Sequence, residues 1–185
     1  MNRSIVFSGL LLSYLAVLSG FSPAKAATSY QSEWKLVRSE APAELIEQVS
    51  SEFLSGLPIK VEPMKIHTIS VEETKPIYLI NTSPQKSTPR NNPLCVRAGC
   101  MYLMYVPTKG GNFQKVWHGY LDKNLPENVP LIQARDTFEN GLPVLEVAQV
   151  QDGELVKFEL KFDGNSYRIT DTIVSSLPLN SGNRY

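Results

Sequence analysis

The chain has 185 residues, 42% of them hydrophobic and 19% charged, and its 18 basic residues are balanced by 18 acidic ones. That length suits one domain, and that apolar content suits a packed core and argues against a disordered chain. The balance of charge excludes both the global basic excess of a nucleic-acid binder and the acidic excess of a cation store.

Residues 1–26 read as a secretory signal peptide. Arg3 supplies the positive n-region, Ile5 to Leu18 the apolar h-region, and Ala24-Lys25-Ala26 a small-x-small cleavage site. The alternative, an uncleaved membrane anchor, meets the objection that the apolar run is shorter than the ~20 residues a spanning helix needs. No cysteine follows the cleavage site, so a lipid anchor is not expected, nor any stable membrane anchor after cleavage. Removing Arg3 and Lys25 leaves 16 basic against 18 acidic residues, a net charge of −2.

Residues 27–40 read as an N-terminal extension with an early aromatic pair, Tyr30 and Trp34, placed along an edge of the domain. A single α+β domain is expected over 41–174. Its helix is predicted over 42–55: Pro42 suits the first turn, Glu44 and Glu47 favour the positive end of the dipole, and Gly56-Leu57-Pro58 stops it. Leu45, Ile46, Val49 and Phe53 share one face, which fits a helix laid on a sheet better than a partner-binding helix. Val61 to Ser70 and Ile77 to Asn81 read as strands. A loop covering 82–94 follows, rich in proline, and Asn81-Thr82-Ser83 matches a glycosylation acceptor.

The only two cysteines, Cys95 and Cys100, then open a hairpin. In an exported chain they are expected to pair, with Gly99 supplying the backbone angle of a tight turn. A redox-active pair usually has two intervening residues rather than four, and zinc would need four ligands where only His67 and His118 are at hand. Met101 to Val106 is apolar at every position, so the strand is expected at mid-sheet with material packed on both faces. Lys109 to Asn112 turns it into Phe113 to Tyr120. Further strands are predicted at Leu131–Arg135, Val144–Val150, Leu155–Phe162 and Tyr167–Thr170. A loop Asp136–Gly141 and turns at Asp152-Gly153 and Asp163-Gly164-Asn165 join them, and 175–185 read as a frayed tail. The fold class is therefore α+β, a mainly antiparallel sheet or meander with one N-terminal amphipathic helix packed on it. Leu45, Val49, Phe53, Leu103, Tyr105, Trp117, Val147, Phe158 and Leu160 are its expected core.

Two segments, Asn140-Gly141-Leu142-Pro143-Val144-Leu145-Glu146-Val147 and Leu160-Lys161-Phe162-Asp163-Gly164-Asn165-Ser166-Tyr167, carry a resemblance. Over about residues 95–170 the chain resembles uncharacterised secreted bacterial domains with a cysteine turn, an aromatic strand and a meander. It is also similar to one repeat of the integrin-type (FG-GAP-like) β-propeller family. The resemblance implies a local meander and no enzymatic activity; no second copy of the repeat is found, so a closed propeller is not expected. Repeats of that family often hold calcium in an acidic loop. Here Asp136 and Asn140 keep oxygen ligands, but Phe138 and Val144 stand where others would be expected. No calcium at physiological affinity, and no other cofactor or metal, is therefore expected.

No catalytic frame is legible. There is no Gly-x-Ser-x-Gly elbow, and Gly110-Gly111 lacks the lysine and helix of a phosphate loop. His118 is a candidate base if Asp122 or Glu146 lies near, although a histidine on a strand is more often a packed or surface residue. Tyr102, Tyr105, Phe113, Trp117 and Tyr120 form an aromatic-rich hairpin that reads first as core packing. Tyr102, Trp117, His118 and Tyr120 are its candidate binding surface. The expected function is a non-catalytic binding or accessory protein, periplasmic or secreted. Its partner would be a protein of the envelope or the extracellular space, where it acts on an envelope complex or inhibits a secreted enzyme. The alternative is a small extracytoplasmic hydrolase with dispersed site residues.

Overall fold

The computed structural model describes residues 34–72, 74–83, 92–122, 124–126 and 128–177. The signal peptide at 1–26, the first half of the extension with Tyr30, loop residues 84–91 and the last eight residues of the tail lie outside the described residues. The fold is α+β and β-dominated, as expected, but its strands form two sheets rather than one.

The first sheet contains β1 (Lys35–Leu36), β2 (Lys65–Ile69), β3 (Ile77–Asn81), β4 (Cys95–Val96), β5 (Gly99–Pro107) and β6 (Phe113–Leu121). The second is the antiparallel meander β7 (Ile132–Glu139), β8 (Leu142–Gln151), β9 (Glu154–Phe162) and β10 (Tyr167–Ser176). Two helices, α1 (Val37–Glu40) and α2 (Ala43–Glu52), lie on the first sheet. The segment after Leu121, with Pro126 and Pro130, cannot donate a continuous ladder and carries the chain from one sheet to the other.

β5 organises these layers. Its side chains alternate without a break between two cores. Met101, Leu103 and Tyr105 face Leu45 and Val49 of α2, together with Val61, Met64, Ile66 and Ile80. Tyr102, Met104 and Val106 face the second sheet, where Leu145, Val147, Leu160 and Phe162 close the space. The order is helix, sheet, sheet. Of the nine residues expected in the core, six are buried, while Phe53, Trp117 and Phe158 are half-buried against its margins.

The strand predicted to begin at Val61 begins at Lys65 instead. Val61 to Met64 is a turn closed by Met64 N–H on the Val61 carbonyl (2.9 Å), and both end residues are fully buried. Pro63 lacks the N–H a ladder needs, so apolar content here serves a turn.

The predicted loop Asp136–Gly141 is mostly strand. β7 continues to Glu139 across a bulge between Ala134 and Phe138, and only Asn140 and Gly141 form the turn, at φ +49° and +82°. β10, predicted to stop at Thr170, runs to Ser176, two residues into the stretch read as tail. Both are outer strands with exposed side chains, so neither carries the apolar alternation by which strands are recognised.

Cys95 and Cys100 are bonded and stand directly opposite each other in the β4–β5 ladder. Reducing the bond, or replacing both cysteines by serine, is expected to lower stability by about 2 kcal/mol through the entropy regained by the unfolded chain. Urea denaturation of the oxidised and reduced chains measures this, and equal midpoints would refute it. The hairpin is also tied to its surroundings: buried Thr82 donates to the Met101 carbonyl (2.9 Å), and buried Asn92 donates to the Thr82 carbonyl (3.0 Å).

Three buried tyrosines differ in what their hydroxyls meet. Tyr102 accepts from Asn81 Nδ2 (2.9 Å), and Tyr167 donates to the Pro143 carbonyl (2.7 Å). Tyr105, on the helix side, has no hydrogen-bond partner among the described residues. Burial pushes all three phenols up, Tyr102 and Tyr105 to about 12. Tyr102→Phe and Tyr167→Phe are each expected to cost about 1 kcal/mol, whereas Tyr105→Phe removes an unsatisfied buried group and should be neutral or stabilising. Thermal melts of the three variants measure the contrast, and a loss at Tyr105 equal to the other two would overturn it.

Candidate functional site

The four residues nominated from sequence do not form one surface. Tyr102 is buried between the sheets, with Trp34 edge-on to its ring at 5.9 Å. Trp117, opposite Met104, is half-buried on the same side. His118 stands opposite Leu103, and Tyr120 opposite Met101, both on the helix side. His118 is exposed and Tyr120 is 37% exposed. The aromatic hairpin is therefore split by the sheet into an inner pair and an outer pair.

The carboxylates considered beside His118 have other partners. Glu146 lies among the charged residues of β7, β8 and β9, held by Arg135 and by Lys157 Nζ (2.9 Å). Directly across the ladder from Glu146 is Glu159, a like charge whose repulsion is offset by Lys161 at 3.2 Å. Asp171 on β10 stands opposite Glu159, so three acids line up across three strands with bases on either side. Asp122 bonds the backbone N–H of Asn124 (3.0 Å).

The Asp136 region also resolves into structure. Asp136 is an exposed strand residue, and Asn140 donates to the Phe162 carbonyl at 2.8 Å. Among the described residues no group of three or more histidine, cysteine, aspartate or glutamate side chains is placed to hold a metal ion. Asn81, the glycosylation candidate, uses its Nδ2 on Tyr102 and its Oδ1 on Ser83 N–H, so the amide is engaged in the fold.

Sheet edges are more informative. β1 is only two residues long. The outer edge of β6 is covered by glutamines: Gln48 of α2 donates to the Phe113 carbonyl (2.7 Å) and accepts from its N–H (2.9 Å). Farther along, Gln149 donates to the Tyr120 carbonyl (3.0 Å). β7 is interrupted by its bulge. These are the usual ways of blunting an edge.

β10 is different. Among the described residues it pairs with β9 alone, and nine of its ten residues are exposed. Ile169, Ile173 and Val174 are 59%, 52% and 54% exposed. Its first half is guarded. Thr170 is a bulge residue whose hydroxyl reaches Glu159, and Arg168 is held by Asp163 (3.1 Å). The Asp163 carboxyl also accepts the N–H groups of Asn165 and Ser166. With those two bonds leading and Arg168 third, it is held at about 2, below the ordinary aspartate range. That turn's ionic support is complete above the unfolded carboxylate range and is lost as pH falls through about 2. The second half, Thr172 to Ser176, has no charge and no bulge, and continues in regular register from Thr172 opposite Phe158 to Ser176 opposite Glu154.

This edge is absent from the sequence-based list of candidates, although Ile169-Thr170-Asp171-Thr172-Ile173-Val174 is a β-branched run that announces a strand. No helix among the described residues is long and apolar enough to cross a membrane. Comparison of the chain with protein-family models, curated proteins and solved structures finds no match.

Proposed function

We propose that this chain is a non-catalytic extracytoplasmic binding or accessory protein that makes its protein contact by strand addition at the outer edge of β10. Export rests on the leader read in residues 1–26, and the Cys95–Cys100 bond is compatible with an oxidising compartment. The observation that carries the reading is the edge itself: a ten-residue outer strand whose second half is uncharged and regular and exposes Ile173 and Val174. Main-chain hydrogen bonds to such an edge supply affinity, and the exposed isoleucine and valine supply contact for alternate side chains of the added strand.

A photo-crosslinking residue at position 173 of the exported chain tests this in its native compartment. Adducts, with either the same or a different protein, are expected from position 173 and not from position 44 on the acidic face of α2. Absence of adducts at 173, or equal yields from both positions, would overturn the reading.

A further inference from the structure

We propose that residues 30–33 continue β1 along the outer edge of β2, so that the chain's own N-terminal segment closes the first sheet on that side. β1 covers little of this edge by itself. Lys35 stands opposite Ile66 and Leu36 opposite Lys65, while β2 runs on to Ile69. On its other side every residue of β2 is paired with β3.

The register already formed fixes where the preceding residues fall. Counting back from Lys35 sets Trp34 opposite His67, Glu33 opposite Thr68, Ser32 opposite Ile69 and Tyr30 opposite Val71. The first of these steps is visible in the side chains. The Trp34 ring lies 5.7 Å from that of His67, as in an opposed cross-strand pair, and 5.9 Å from that of Tyr102. Trp34, the first described residue, is therefore still in register with β2.

The side chains of the segment suit the faces this register gives them. Ile69 belongs to the inter-sheet core, and half-buried Val71 packs against its margin. Alternation puts Tyr30 on the same side as Trp34, over Val71, and puts Gln31 and Glu33 on the other. The two aromatic residues then cover the margin of that core beside β2. This closes the first sheet at β2 as Gln48 and Gln149 close it at β6.

Covalent continuity decides the occupant. Cleavage after Ala26, where the leader reading places it, leaves residues 27–33 ahead of Trp34, enough chain for the strand. A foreign strand, or one from a second copy, has to displace Glu33 from beside its own anchored neighbour. The tethered segment competes there at an effective concentration on the order of millimolar.

Paired cysteines in the exported chain read the register. Glu33→Cys with Thr68→Cys is expected to form a 33–68 disulfide within one chain under mild oxidation, because opposed Cα atoms lie about 4.5–5.5 Å apart. Gln31→Cys with Thr68→Cys shares the face but sits two positions out of register, at about 7–8 Å, and should stay reduced. Peptide mapping by mass spectrometry identifies the links. Hydrogen exchange gives a readout without substitution: amides of residues 30–33 should exchange about tenfold more slowly than in a peptide spanning 27–40. Equal yields from the two cysteine pairs, or exchange as fast as in the peptide, would overturn the pairing. A 33–68 link found only between two chains would overturn the chain's own segment as occupant. β10 lies in the other sheet, so none of these outcomes bears on docking at position 173.

Discussion

Gly99→Ala is expected to be the most damaging small substitution in the chain, costing about 3–5 kcal/mol. Two penalties coincide there. The residue sits at φ +113°, where a side chain is strained. A Cβ would also lie 2.1 Å from the Leu121 carbonyl oxygen and 2.7 Å from the Asp122 nitrogen. Both obstacles are backbone, so relief requires β6 to move away from β5 near the point where Cys100 pairs with both Cys95 and Leu121. Two other glycines calibrate the effect. Gly119→Ala would meet the end of the Trp117 ring at 2.7 Å, a side chain able to tilt. Gly141→Ala meets nothing within 4 Å and bears only the cost of its φ of +82°. The melting temperature should therefore fall most for Gly99→Ala, by roughly 10 °C on the scale of a domain this size, and least for Gly141→Ala. A Gly99→Ala melt no lower than that of Gly141→Ala would show that the β4–β5–β6 junction is looser than described.

What could be read from the sequence follows from which signals survive in each layer. β5 was legible because every position from Met101 to Val106 is apolar, and only a strand with a core on each face uses such a run. Asp152-Gly153 was legible because aspartate and glycine both tolerate the positive φ that a type I′ hairpin turn requires at its two central positions, and the structure has +52° and +83°. The disulfide was legible from cysteine count and spacing joined to the leader. The outer strands were legible only in their first halves, because beyond Arg135 and Thr170 β7 and β10 expose their side chains, and each carries a bulge that shifts the period. A bulge also explains the misplaced aromatic patch. Between Met104 and Tyr105 the β6 register slips by one residue at Val116, so Val116 and Trp117 both turn to the inter-sheet core. Alternation counted straight along β6 then assigns the wrong companions to Trp117. Gln48 gave no signal either, since a glutamine on a helix acquires its role only once folding brings Phe113 beside it, 65 positions along the chain.

Leu103→Ala and Met104→Ala are expected to lose about 3 kcal/mol each, yet to loosen different parts of the molecule. The two residues are consecutive and both fully buried, but the strand pleat sends them to opposite cores. Leu103 packs with Leu45, Val49 and Val61, so its truncation opens a cavity beneath α2. Met104 packs with residues of β8 and β9, so its truncation opens a cavity between the sheets. A cavity weakens local contacts most, and subglobal openings then become cheaper on the affected side. Native-state hydrogen exchange should accordingly show α2 amides released in Leu103→Ala and the β8 and β9 amides released in Met104→Ala. The β3 and β5 amides, shared by both cores, should change only with global stability. Identical exchange maps for the two variants would mean that the three layers open as one unit. β5 would then not be the partition between two cores that its alternation describes.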